Sequence, residues 1–204
     1  METDPGTAET PRGAVPRPLR AGSRQKFDAL IAAARDVFAG DGVHGSLEEI
    51  ARRAGVGIGT LYRNFPTRQA LLEAVYVDEV EALARVADEL GGLDPGESLA
   101  IWLRQFVGYA TTKRAVVEGL NLDSPMFGAC IALIHRAGEP LLKAAQDAGK
   151  ARDDVDFEDV RLLINGIASS NFADDAQRDR VLGMALDGIK TPSGRSHLRD
   201  GKHH

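Results

Sequence analysis

Sulfur, long apolar runs and catalytic signatures are all scarce in this chain. With one cysteine in 204 residues, Cys130, it cannot close an internal disulfide or build a multi-cysteine metal cluster, so nothing asks for an oxidising compartment. No stretch approaches the ~18 apolar residues of a membrane-spanning helix. The proline-rich opening METDPGTAETPRGAVPRPLRAGS lacks the apolar centre of a secretory signal. The expected location is the cytoplasm. There is no nucleophile elbow, no H-E-x-x-H pair and no P-loop lysine motif. Ser169, His135 and Asp154 are ingredients of a nucleophilic site without a spacing that assembles them, and Cys130 lies on an apolar stripe, the pattern of an inert buried thiol. No catalytic residue, metal ligand or cofactor is expected, and the chain reads as a non-enzyme. His203 and His204 close a polar tail and are assigned no metal role.

The composition that is present, 43% hydrophobic and 27% charged, suits a globular protein with a real core. The net charge of −5 argues against a nucleic-acid partner until the halves are separated. Residues 1–75 hold 10 Lys+Arg against 9 Asp+Glu, whereas residues 76–204 hold 15 against 21. The acid lies downstream, which leaves the N-terminal part free to meet an anion.

Residues 1–22, with Pro5, Pro11, Pro16 and Pro18, carry too little apolar surface to offset ordering and are expected to form a disordered arm, whose Arg12, Arg17 and Arg20, followed by Arg24 and Lys26, could touch phosphates. From Arg24, Phe27, Leu30, Ile31, Ala34, Val37 and Phe38 recur at helical spacing until Gly40-Asp41-Gly42. Ser46, followed three residues later by Glu49, predicts a capping box at the start of a second helix, with Leu47, Ile50, Ala51 and Ala54 on its apolar stripe. Gly55 suits its left-handed close.

The next stretch, GVGIGTLYRNF, has glycines at alternate positions, as dinucleotide-binding loops do. That reading requires a preceding strand, and a helix precedes these glycines instead. A short third helix then runs to Phe65, with Leu61 and Phe65 stacked four apart as core, and Pro66 stops it. Two short helices joined by a glycine-containing turn form a helix-turn-helix.

Thr67 is placed to cap a long helix reaching Gly91-Gly92. Further helices carry Leu99, Trp102, Phe106 and Tyr109; then Phe127, Cys130, Ile131 and Ile134, with Pro125 in the first turn and Pro140 expected to kink or restart the helix. Two more follow, one capped by Asp156 and running from Phe157 to Ser170, the other from Asp174 to Ile189. Residues 191–204 are expected to be disordered. The fold class is all-α: a three-helix helix-turn-helix domain over 23–72 joined to a helical domain over 73–190.

SLEEIARRAGVGIGTLYRNFPTRQALL, residues 46–72, closely resembles the TetR family of bacterial transcriptional regulators, through the capped second helix, AGV, GTLYRNF and TRQALL in one order and spacing. Residues 73–190 resemble it only as a helical second domain of suitable length. The resemblance implies a homodimer whose subunits each give a DNA-reading head and a helical core that binds a small molecule, most often a repressor released from its operator by that effector. A regulator of the same kind without an effector is the alternative. A twofold dimer would read a palindromic operator on double-stranded DNA. The apolar surface of 157–170, beside the last helix, is the dimer candidate.

In such a head the second helix of the motif enters the major groove while its surroundings hold phosphates. Gly57 and Gly59 carry no side chain to hold the backbone off the duplex. Thr60 can donate to a base or phosphate, and Arg63 is the favoured bidentate partner for guanine or a strong phosphate contact. Tyr62 and Asn64 occupy positions that the family uses for backbone contacts, and Ser46 would bring its hydroxyl toward the phosphates. Arg68, where the family usually has lysine, sits at a helix start that favours a phosphate. Ile58 departs from the family's polar residue there and can only pack on a thymine methyl or bury. If the second domain binds an effector, its pocket is expected among Trp102, Phe106, Tyr109, Phe127, Cys130 and Ile134, with plain core packing as the alternative for the same residues.

Overall fold

The computed structural model describes residues 15–117, 120 and 123–191, with the backbone alone over 110–117. The expectations for Arg12, for most of the N-terminal arm, for the tail beyond Thr191 and for the terminal histidine pair lie outside the described residues.

Among the described residues eight α-helices follow one another: α1 (Ala21–Asp41), α2 (Leu47–Arg53), α3 (Ile58–Asn64), α4 (Arg68–Glu89), α5 (Pro95–Val117), α6 (Pro125–Asp147), α7 (Phe157–Ser169) and α8 (Asp175–Ile189), with a 3₁₀ turn at Gly42–His44 between α1 and α2. Among the described residues the one piece of β-type pairing is an isolated bridge between Ala151 and Lys190. The glycines of GVGIGTLYRNF therefore follow a helix, and the dinucleotide reading fails on its first requirement. None of these helices is long and apolar enough to cross a membrane.

The caps explain where most elements begin. Asp94 Oδ1 accepts from Gly96 N and Glu97 N at 3.0 and 3.1 Å ahead of α5. Thr67 Oγ1 accepts from Ala70 N at 3.0 Å, and Asp174 serves α8 in the same way. Asp156 and Asp159 form a complete capping box on α7. At α2 the expected box is only half built: Ser46 Oγ accepts from Glu49 N at 3.2 Å, but the Glu49 carboxylate turns to Arg52 and Arg53. Two guanidinium donors bind a carboxylate more strongly than one backbone N–H does.

Two further expectations are corrected. The N-terminal arm is ordered at its inner end, because α1 begins at Ala21 and Arg17 is ion-paired to Asp28, Asp78 and Glu81. Pro140 does not restart a helix: α6 runs through it to Asp147. The missing Pro140 N–H leaves the Arg136 carbonyl without its helical donor, yet the flanking turns continue.

The contacts divide the chain into two compact units, one made of the residues through Arg85 together with Thr111–Ile134, the other of Val86–Ala110 together with His135 onward. In the first, Phe27, Leu30, Ile31, Ala34, Val37 and Phe38 of α1 are buried with Ile50, Leu61, Phe65, Leu71 and Val75. The Phe27 and Phe65 rings meet at 4.9 Å. Arg35 of α1 bonds Asp78 at 2.6 Å and also pairs with Glu79 on α4. In the second, Trp102 packs on Phe106 and Phe157, with centroids 5.3 and 5.9 Å apart, and His135 meets Phe157 edge-on at 5.1 Å. The end of α8 is pinned there by Arg152 N to Ile189 O at 2.9 Å and Thr191 N to Lys150 O at 3.2 Å.

Candidate nucleic-acid interface

The site grows from two short helices and the turn between them. α2 closes through Gly55, whose φ of 67° is the left-handed conformation that glycine adopts without strain. Gly57 then takes an extended conformation as the N-cap residue of α3, and Pro66, just past the C-cap Phe65, prevents continuation. The apolar positions fix the rotation of α3 about its own axis. Leu61 and Phe65 are buried, so Gly59, Tyr62 and Arg63 turn away from the core and are exposed, with Ile58 exposed on the flank of the buried stripe.

That face is unusual for a free surface. Ile58 is 38% and Tyr62 46% exposed, two large side chains one turn apart. A Cβ built on Gly57 or Gly59 would meet nothing within 4 Å, and neither has a positive φ. Crowding within the chain therefore does not explain either glycine. The surface they keep low faces outward.

The polar groups are held in place. Arg63 Nη2 donates to Thr60 Oγ1 at 2.9 Å, orienting the guanidinium along the exposed face. Asn64 Nδ2 donates to the Thr60 carbonyl at 2.8 Å. Ser46 is exposed at the N-terminus of α2, where its Oγ lies 3.0 Å from Glu48 Oε2. Glu48 is held below the usual carboxylate range, first by its own backbone N–H and then by Ser46. Glu49 is lowered to about 2, through hydrogen bonds from Arg52 and Arg53, which offsets two of the cations nearest the motif.

Arg68 is the first residue of α4 and also makes bonds within the chain. Its Nη1 donates to the carbonyls of Val43, at 3.0 Å, and Gly45, so this nitrogen serves the turn ahead of α2. Sequence reasoning missed this bond because it joins residues 23 and 25 positions apart. It also missed the carboxylate cluster on α4. Burial raises the carboxyls of Glu79 and Glu81 in spite of Arg35 and Arg17 respectively. A charge pattern along one helix does not disclose what another segment brings to it.

The six residues expected around an effector fall in both units. Trp102, Phe106 and Tyr109 belong to the second, Phe127, Cys130 and Ile134 to the first. All but Phe127 are buried. Phe106 stacks on Tyr109 at 5.8 Å, Phe127 on Tyr76 at 5.5 Å, and Cys130 Sγ lies 3.8 Å from the Met126 sulfur.

A family model described as bacterial regulatory proteins of the tetR family matches residues 30–75, and one described as the C-terminal domain of SbtR-like transcriptional regulators matches residues 94–191. A TetR transcriptional regulator from Streptomyces coelicolor is 41% identical, with a TM-score of 0.72 over 81% of this chain and 99% of that one. A TetR regulatory protein from Mycobacterium vanbaalenii is 35% identical, with a TM-score of 0.69 over 85% of this chain and 99% of that one. The HTH-type transcriptional regulator UidR of Escherichia coli is 25% identical over 170 residues, 77% of this chain and 87% of UidR. The two short helices joined by a glycine turn are thus a helix-turn-helix, and the chain belongs to the TetR family of bacterial transcriptional regulators.

Proposed function

We propose that the protein is a cytoplasmic repressor that binds a palindromic operator as a homodimer and is released by a small-molecule effector. The observation that carries the DNA-reading part is the outward face of α3. It exposes Ile58, Tyr62 and Arg63 and keeps Gly57 and Gly59 bare without any internal reason. In this reading α3 enters the major groove. Arg63, steadied by Thr60, contacts a guanine or a phosphate, and Ile58 packs on a thymine methyl. Tyr62, Asn64 and Ser46 hold phosphates and set the register. Ile58 supplies no hydrogen bond, so discrimination rests on Arg63 and Thr60.

Dimerisation is assigned to α7 and α8. Leu162 and Leu163 are 56% and 43% exposed and Met184 73%, and Gly166, Ser169 and Ser170 extend the stripe on α7. Small residues beside exposed leucine and methionine let two helix pairs approach closely, and a twofold contact between such faces sets the heads for two half-sites. Effector control requires a ligand with different affinities for two dimer states, with α4, which contributes to both units, carrying the difference. The second reading, a regulator without an effector, is supported by the ring-on-ring contacts that Trp102, Phe106, Tyr109 and Phe127 make with neighbouring aromatics. No motif supports an enzyme.

The test is selection of duplexes retained by the full chain from a random pool, followed by titration across salt concentrations. A twofold-symmetric site is expected, with affinity falling steeply with salt. Arg63→Ala should weaken the selected site by about 1–3 kcal/mol and relax the preference at one position per half-site. Recovery of no enriched sequence would overturn the reading.

A further inference from the structure

The start of α4 is the place where the fold departs most from what a helix N-terminus near DNA is expected to do. Arg68 is half-buried. Its Nη1 donates to Val43 O and Gly45 O, two carbonyls that bracket the exit of the 3₁₀ turn at Gly42–His44. Gly45 immediately precedes Ser46, the N-cap of α2, whose Oγ accepts from Glu49 N at 3.2 Å. α2 closes with Val56 N donating to Ala51 O at 3.0 Å, directly before α3. A bonded path therefore runs from the first residue of α4, through the turn, to the start of α2 and on to the reading helix.

We infer that Arg68 is a positioning residue, which ties the first turn of α4 to the 43–45 turn and so sets where α2 and α3 sit, rather than a phosphate contact. This rests on the DNA-reading function proposed for α3. One nitrogen bonding two carbonyls from another segment fixes a distance between elements, which a phosphate contact does not. A charged donor suits the task because hydrogen bonds from an ionised group are the stronger kind. The two carbonyls it serves lie at a turn that precedes α2, where the helical ladder supplies no donor for them.

The experiment uses the full chain with Arg68→Met and Arg68→Lys, each studied well below its melting temperature. Affinity for the selected duplex is measured across salt concentrations, and amide exchange is followed at residues 46–50 and 58–64 and, for reference, at the core of α1. If Arg68 positions the head, Arg68→Met binds about tenfold more weakly with an unchanged salt slope. Its amides at 46–50 and 58–64 exchange faster while those of α1 do not, and Arg68→Lys recovers most of both effects. A slope reduced by about 0.9 per subunit with unchanged exchange identifies a phosphate contact instead. Unchanged affinity and exchange also overturn the proposal. If the unaltered protein binds no duplex, the functional reading fails, and the exchange pattern alone decides whether the tie exists.

Discussion

Gly138 lies within α6, where glycine is otherwise a poor helix residue, and its neighbours explain it. A Cβ there would fall 2.2 Å from Phe157 Cε2 and Cζ and 2.6 Å from Trp102 Cη2. The hydrogen of glycine is what lets both rings close on the helix, and Trp102 is fully buried as a result. Gly138→Ala should therefore destabilise the protein by about 1–3 kcal/mol, the usual cost of overpacking. Gly183→Ala, where a Cβ meets nothing within 4 Å, should be neutral or slightly stabilising. Urea melts of the two variants check this, and equal midpoints would remove the packing explanation. At the same scale, the Thr60–Arg63 bond shows that two residues expected to contact DNA separately act as a pair in the free protein.

At the scale of an element, α2 is short and depends on its ends. Ser46 satisfies one of its first-turn donors, while Glu49 accepts from Arg52 at 2.7 Å and from Arg53 at 2.6 Å in the last turn. These bonds lower Glu49 from an ordinary 4.5 to about 2. A depressed carboxyl contributes stability that is present above its unfolded value and lost as pH falls through its folded value. The window for Glu49 is thus between about 4.5 and about 2. An NMR titration of its side-chain carboxyl should show a midpoint near 2, moved upward by Arg52→Ala with Arg53→Ala. An ordinary midpoint in the unaltered protein would show that the clamp does not persist in solution. Glu79 and Glu81 on α4 have the opposite sign, because burial raises them. Their contribution is fully present below the unfolded pKa and is lost as pH rises through the folded one.

For the molecule as a whole, the proposed assembly turns on the outward stripe of α7 and α8. Burying Leu162, Leu163 and Met184 against a second copy removes their apolar surface from water, and a carboxylate placed there would be desolvated without a partner. Leu162→Glu with Met184→Glu is expected to yield a folded monomer by sedimentation, with affinity for a two-half-site operator reduced at least a hundredfold, because the two heads no longer bind as one unit. A variant that remained dimeric would place the interface elsewhere. Residues 162, 163 and 184 are not needed for the core of their own unit, since Val160, Ile164 and Ile167 of α7 and Leu182 and Leu186 of α8 are its buried face.

The sequence by itself determined the helices and the reading motif, because both rest on local rules. Three- and four-residue apolar spacing, side-chain caps at Ser46, Thr67 and Asp156, and the left-handed Gly55 act within a few residues and can be read without a partner. The burial of Leu61 and Phe65, and with it the exposure of Tyr62 and Arg63, follows from the same spacing. What distant segments do for one another emerges in the folded chain alone. Folding brought Arg68 to the carbonyls of Val43 and Gly45, Arg17 and Arg35 to the acids of α4, and Phe157 and Trp102 against Gly138. It also placed Trp102, Phe106 and Tyr109 in one unit and Phe127, Cys130 and Ile134 in the other. Long-range pairing of this kind depends on how helices settle against one another, and helical periodicity carries the face of each helix but not the identity of what meets it.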